Sequence, residues 1–212
     1  MLPQAFWISL RILFFRSGPE DLPYDQGRVL SIACIAFGVL VNAALATISA
    51  QAAVETHLLS AAASPIQVLA VGAVAVLAMG LFTRLALQAR RLDNRFQQTF
   101  NALLLTSSLI SLLMVFPSQQ SLPHLLEMNE YLAQLSEHPE QLADPAHAPL
   151  LSPAATFWSL LLSGLLVWQF AVTIFIYRRA ANVRTGGGIL IALLCLLSIA
   201  SFKALFATLF GD

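Results

Sequence analysis

The sequence predicts an all-α fold: a polytopic membrane helix bundle with five transmembrane helices and an N-terminal amphipathic interfacial helix. Three observations predict it. Of the 212 residues, 58% are hydrophobic and only 10% are charged, against about 25% charged in an ordinary soluble domain. The mean hydropathy is +0.77. Five stretches are apolar for roughly the 20 residues that a bilayer crossing takes. The same arithmetic excludes other classes. Lys+Arg and Asp+Glu balance at 11 each, so no basic surface for nucleic acid is implied. Two cysteines make no disulfide scaffold.

The first region, residues 1–28, reads as a cytoplasmic N-terminal segment. Phe6 to Phe15 is apolar but interrupted by Arg11, and Arg16-Ser17-Gly18-Pro19-Glu20-Asp21 follows where a signal peptide would carry a small-residue cleavage site. On a helical wheel Phe6, Leu10, Leu13 and Phe14 share a face, with Trp7 at its margin and Gln4, Arg11 and Arg16 elsewhere. That is the pattern of a helix lying on the membrane. Ile8, Ile12 and Phe15 fall outside the sector, so a helix packed against the bundle fits as well. Gly18-Pro19 breaks it.

Residues 29–212 form the five-span domain. The spans are expected at Val29–Ser49, Pro65–Leu87, Phe100–Phe116, Ala154–Tyr177 and Gly188–Phe210. The third is the shortest and most polar, with Thr106, Ser107, Ser108 and Ser111. Its flanks still argue for crossing: arginines precede it and a long acidic segment, residues 117–153, follows. Within that segment Ser121 to Leu135 has the apolar spacing of a short helix.

Orientation follows from the arginines. Arg11, Arg16 and Arg28, then Arg84, Arg90, Arg91 and Arg95, then Arg178, Arg179 and Arg184 fall on alternate connections, all on one face. The opposite connections, residues 50–64 and 117–153, carry no Lys or Arg. By the positive-inside rule the N-terminus is cytoplasmic and the C-terminus lies outside.

Few residues suggest chemistry. His57, His124, His138 and His147 all fall on the outer side, three of them among Glu127, Glu130, Glu137, Glu140 and Asp144. Imidazole and carboxylate suit a divalent metal, but no His-Glu-x-x-His or His-x-x-x-His spacing occurs. No metal, cofactor or catalytic residue is therefore expected, and the chain reads as non-enzymatic, with a metal-dependent membrane enzyme as the remote alternative. Gly186-Gly187-Gly188 lacks the Lys-Ser or Lys-Thr of a phosphate loop and reads as a flexible joint.

Intramembrane polar and small residues are the better candidates. Asn42 sits in the stripe Cys34, Gly38, Asn42, Ala46, and Gly72, Ala75 and Ala78 make another. With the small residues of span five, these suggest that spans one, two and five pack together. Gln169 reads as a packing hydrogen bond, and Lys203 as a snorkelling side chain or a cavity lining. Trp158 fits the outer interfacial belt and Tyr177 the inner one. Gly38, Asn42, Gly72, Gln169 and Lys203 are thus helix-packing or partner-binding candidates, and Gly38→Leu or Asn42→Leu is expected to disrupt association. Arg90, Arg91, Arg95, Arg178, Arg179 and Arg184 form a candidate face for anionic lipid or an acidic partner.

The layout resembles the Yip1 family of small membrane proteins. The resemblance covers residues 6–210 and rests on Arg95-Phe96-Gln97-Gln98-Thr99-Phe100-Asn101 leading into a Ser/Thr-rich third span, and on two spans, Trp158 to Tyr177 and Gly188 to Phe210, joined by a short basic turn. The Asp-Leu-Tyr-Gly-Pro motif of eukaryotic members is absent; Asp21-Leu22-Pro23-Tyr24 is a distant echo. The resemblance implies five spans after an N-terminal amphipathic segment and a membrane-organising or adaptor role without catalysis. The Ala/Leu-rich, Lys-poor composition looks bacterial. The expected function is that of an adaptor, assembly factor or accessory subunit in the inner membrane, with the C-terminus periplasmic. Its partners would be membrane lipids and a membrane protein or second copy. A lipid or small-molecule transporter working as a dimer is the alternative.

Overall fold

The computed structural model describes residues 2–24, 28–55, 64–137 and 152–210. Those residues form six α-helices, two short 3-10 turns (Pro19–Asp21 and Asp93–Arg95) and no strand: α1 (Leu2–Leu13), α2 (Val29–Glu55), α3 (Pro65–Gln88), α4 (Phe96–Glu137), α5 (Pro153–Ala180) and α6 (Thr185–Phe210). Helices α2 to α6 are each long and apolar enough to cross a membrane.

Local chemistry sets the helix ends. At one end of the bundle α3 and α5 each start with Ser-Pro. Ser64 Oγ accepts from the Gln67 N–H while Gln67 Oε1 accepts from the Ser64 N–H at 2.8 Å, and Ser152 Oγ accepts from the Ala155 N–H. Each serine supplies an acceptor to an orphan first-turn donor, and proline fits the first helical position because it has no N–H to lose. At the other end α1, α3 and α5 stop alike. Phe15, Arg91 and Asn182 adopt positive φ (58°, 58° and 50°). The next residues, Arg16, Leu92 and Val183, donate back to the carbonyls of Arg11, Leu87 and Arg178. This closure usually uses glycine, and none of the three positions has one.

The five spans close a ring in the order α2–α3–α6–α5–α4, each packed on its neighbours. Helix α3 stands between α2 and α6 and joins them, so the expected grouping of spans one, two and five runs through it. Small residues make the approaches. A Cβ on Gly72 would lie 2.6 Å from the Val39 carbonyl oxygen, so α2 and α3 touch backbone to backbone. Gly188 does the same for α6, its would-be Cβ 3.0 Å from the Ile174 carbonyl oxygen. The Gly186–Gly188 triplet is therefore the first turn of α6, and it lies inside a helix where the sequence suggests a joint.

Helix α4 differs from expectation in length. It runs unbroken for 42 residues, about 63 Å at 1.5 Å per residue, twice a ~30 Å hydrocarbon core. The third span and the expected short helix after it are one element. Pro117 and Pro123 lie within it. Each proline deletes one ladder bond, and the Ser121 hydroxyl donates to the Pro117 carbonyl at 2.9 Å.

Helix α1 packs on α4 and α5. Ala5, Ser9, Ile12 and Leu13 are buried, while Leu2, Phe6, Trp7 and Phe14 are exposed. The face grouped on the helical wheel is thus divided between bundle and surroundings.

Candidate functional site

The arginine-bearing end of the ring holds the densest polar structure. The N-terminal turns of α2 and α4 meet there. Gln97 Nε2 and Asn101 Nδ2 each donate to Ser31 Oγ at 3.0 Å. One residue along, Gln98 Nε2 donates to the Leu22 carbonyl at 2.8 Å and holds the segment between α1 and α2 against α4. Trp168 Nε1 donates to the Leu13 carbonyl at 3.1 Å, which satisfies a carbonyl left open at the end of α1. Phe14 meets the Trp168 ring edge-on at 5.7 Å between centroids, and Phe15 meets Phe175 at 5.3 Å.

The arginines divide. Arg95 reaches the carbonyls of Arg179 and Ala180 through long hydrogen bonds of 3.4 and 3.5 Å. Arg179 pairs with Glu20 at 3.5 Å. Arg178 and Arg179 both lie over the Phe175 ring, 5.7 and 5.6 Å from its centroid, within reach of a cation–π attraction. These three cations serve the fold. All six arginines of the candidate face are exposed, and the side chains of Arg90, Arg91 and Arg184 have no hydrogen bond or ion pair among the described residues.

Two further arginines meet in a place that sequence reasoning did not single out. A cleft of about 750 Å³ opens between the ends of α2, α3 and α4. Arg28 and Arg84 line it, with Asp93, Ser31 and Gln97. Ile35 and Phe100 form its apolar wall. Neither arginine side chain is bonded or ion-paired among the described residues. The only sequence signal was positional: Arg28 sits one residue before α2, and Arg84 one turn before the end of α3.

No family model, curated protein or solved structure matches the chain. The site therefore stands on its own geometry.

The remaining candidates lie elsewhere. Gly38 is buried where three helices meet; a Cβ there would lie 3.0 Å from Leu104 and 3.4 Å from Val76. Asn42 donates to the Gly38 carbonyl at 2.9 Å, within its own helix. Gly38 and Gly72 are thus filled against by this chain, and Gly38→Leu would test its fold before any partner. Gln169 and Lys203 are half-buried, and neither side chain has a hydrogen bond or ion pair among the described residues.

Tyr177 is fully buried, and so departs from the interfacial-belt expectation. Its hydroxyl lies 2.8 Å from Thr83 Oγ1 and 3.3 Å from Cys195 Sγ. This contact ties α3, α5 and α6 at one point. The pattern of three single polar residues on three spans has no sequence signature.

At the other end, His124 Nδ1 lies 3.2 Å from Glu127 Oε2, one helical turn on. The pair borders a cleft of about 330 Å³ beside Trp158, which meets Phe116 edge-on at 5.2 Å. His57, His138 and His147 fall outside the described residues. Among the described residues no three metal-ligating side chains come together.

Proposed function

We propose that this chain is a non-catalytic membrane protein that acts by contact, as an adaptor, assembly factor or accessory subunit. In this reading it sits in a bacterial inner membrane with its arginine-bearing end and N-terminus in the cytoplasm and its C-terminus in the periplasm. Helix α1 lies at the cytoplasmic interface with Phe6 and Trp7 towards lipid, as in the Yip1-like layout. The observation that carries the reading is the outward face of α5. Thr156, Ser159, Ser163 and Gly164 are all exposed, with Leu160 and Val167 exposed among them at 68% and 69%, and no described residue beyond its own helical turns lies within 4 Å of a Cβ placed on Gly164. Lipid contact favours large apolar side chains; small polar ones suit close contact with another helix. The occupant is the helix of a membrane-protein partner or of a second copy.

Purification of the tagged chain from its own membranes in mild detergent tests this. A stoichiometric partner or a homodimer is expected, and Gly164→Leu or Ser163→Leu is expected to abolish it. Because Gly164 and Ser163 are exposed and meet no other helix among the described residues, both variants are expected to fold. Unchanged recovery of every companion with both variants would count against the reading.

A further inference from the structure

The cleft between α2, α3 and α4 carries an inference that does not depend on the adaptor reading. We infer that it binds the headgroup of an anionic glycerophospholipid from the adjoining leaflet, with Arg28 and Arg84 on the phosphate. Four features of the site converge on that ligand.

The first is charge. Arg28 and Arg84 line one cleft, and neither guanidinium has an internal partner among the described residues. Two cations that line one cleft draw an anion into it. Arginine's planar fork suits the oxygens of a phosphate. The second is backbone polarity. Ser31 and Gln97, in the opening turns of α2 and α4, line the cleft, and negative charge is favoured near a helix N-terminus.

The third is amphiphilicity. A soluble phosphate compound would need polar walls all round. Here Ile35 and Phe100 continue the lining into the spans. Beside the cleft Ile32 on α2 and Leu81 and Leu85 on α3 are 64%, 53% and 64% exposed. A cationic rim over an apolar wall, flanked by exposed aliphatic side chains, matches a headgroup with its acyl chains alongside. The fourth is Asp93, which lines the same cleft and is likewise unpaired among the described residues. Asp93 is exposed and accepts from a headgroup that donates a hydrogen bond, as glycerol hydroxyls do and the choline ammonium, with no N–H, does not. Two arginines and one aspartate leave the lining at one net positive charge, which a phosphodiester of one negative charge neutralises.

The test is lipid retention by the full chain in detergent, read by native mass spectrometry with dioleoyl phosphatidylglycerol and dioleoyl phosphatidylcholine added in equal amounts. The wild type is expected to retain phosphatidylglycerol over phosphatidylcholine by about tenfold, the scale of a single charge-assisted hydrogen bond. Arg28→Gln with Arg84→Gln is expected to abolish that preference, and Arg28→Lys with Arg84→Lys to keep most of it. Arg11→Gln with Arg16→Gln removes the same charge from the same end and is expected to change nothing. No preference in the wild type would overturn the proposal, without reliance on any variant. So would an equal loss of preference in the Arg11/Arg16 pair, which would make the effect one of diffuse charge. Displacement of the lipid by glycerol 3-phosphate at equal concentration would assign the cleft to a soluble phosphate and overturn the lipid source.

Discussion

Helices α4 and α6 are opposites. Helix α4 is the least apolar of the five spans, yet 61% of its apolar stretch is buried within the chain; α6 is the most apolar, and only 11% of its stretch is buried. In water the order would be reversed. In lipid, an apolar side chain gains nothing by turning inward, whereas a polar one must find a partner. Thr99, Asn101, Thr106, Ser108 and Ser111 of α4 are accordingly buried. Thr99 and Thr106 donate to carbonyls one turn back, Thr106 to Ala102 at 2.7 Å, and Asn101 donates to Ser31; Ser108 Oγ is buried with no partner among the described residues. Leu190, Leu193, Leu194 and Leu197 of α6 face outward. Helix α5 breaks the trend. It is nearly as polar as α4 and as uncovered as α6, and the proposed contact surface lies on it.

The comparison is sharpest at glycine. Gly72→Leu would drive a side chain into the Val39 carbonyl and is expected to cost about 3 kcal/mol, the upper end of overpacking. Gly164→Leu, on the uncovered face, is expected to leave the thermal unfolding of the isolated chain unchanged. Unfolding curves in detergent for the two variants read this directly, and equal destabilisation would remove the distinction between the two sides. Trp168→Leu removes the bond to the Leu13 carbonyl and the Phe14 ring contact. It is expected to cost about 1–1.5 kcal/mol and to speed amide exchange in residues 2–13 ahead of the spans. Tyr177→Phe keeps the ring and removes the hydroxyl shared with Thr83 and Cys195. About 0.5–1 kcal/mol is expected, seen as a lower unfolding midpoint. The smallest effect has the opposite sign. Arg91→Gly relieves a positive φ of 58° and is expected to stabilise by about 0.5 kcal/mol, less than the full left-handed penalty because the unfolded chain gains freedom.

Much of this architecture was legible in the sequence. Val29 and Pro65 begin helices where hydropathy and Arg28 or proline mark them, because those boundaries are set by local chemistry. The length of α4 was not legible: Pro117 reads as a stop, yet the polar stretch beyond it keeps helical spacing and the ladder resumes. The arginines were legible as a group, from topology alone. Their division was not. That Arg95 and Arg179 are engaged while Arg28 and Arg84 line a cleft depends on how α2, α3 and α4 converge, and spacing along one helix carries no record of another helix's position.

The central claim is five crossings that place every arginine at one end. Single cysteines at Ser64, Ser152, Arg91 and Asn182 test it, since native Cys34 and Cys195 are both buried. The measurement is labelling of intact cells by a membrane-impermeant maleimide. The account predicts that Ser64→Cys and Ser152→Cys label from outside, while Arg91→Cys and Asn182→Cys label only after permeabilisation. Labelling of Ser64→Cys together with Asn182→Cys from the same side would contradict it.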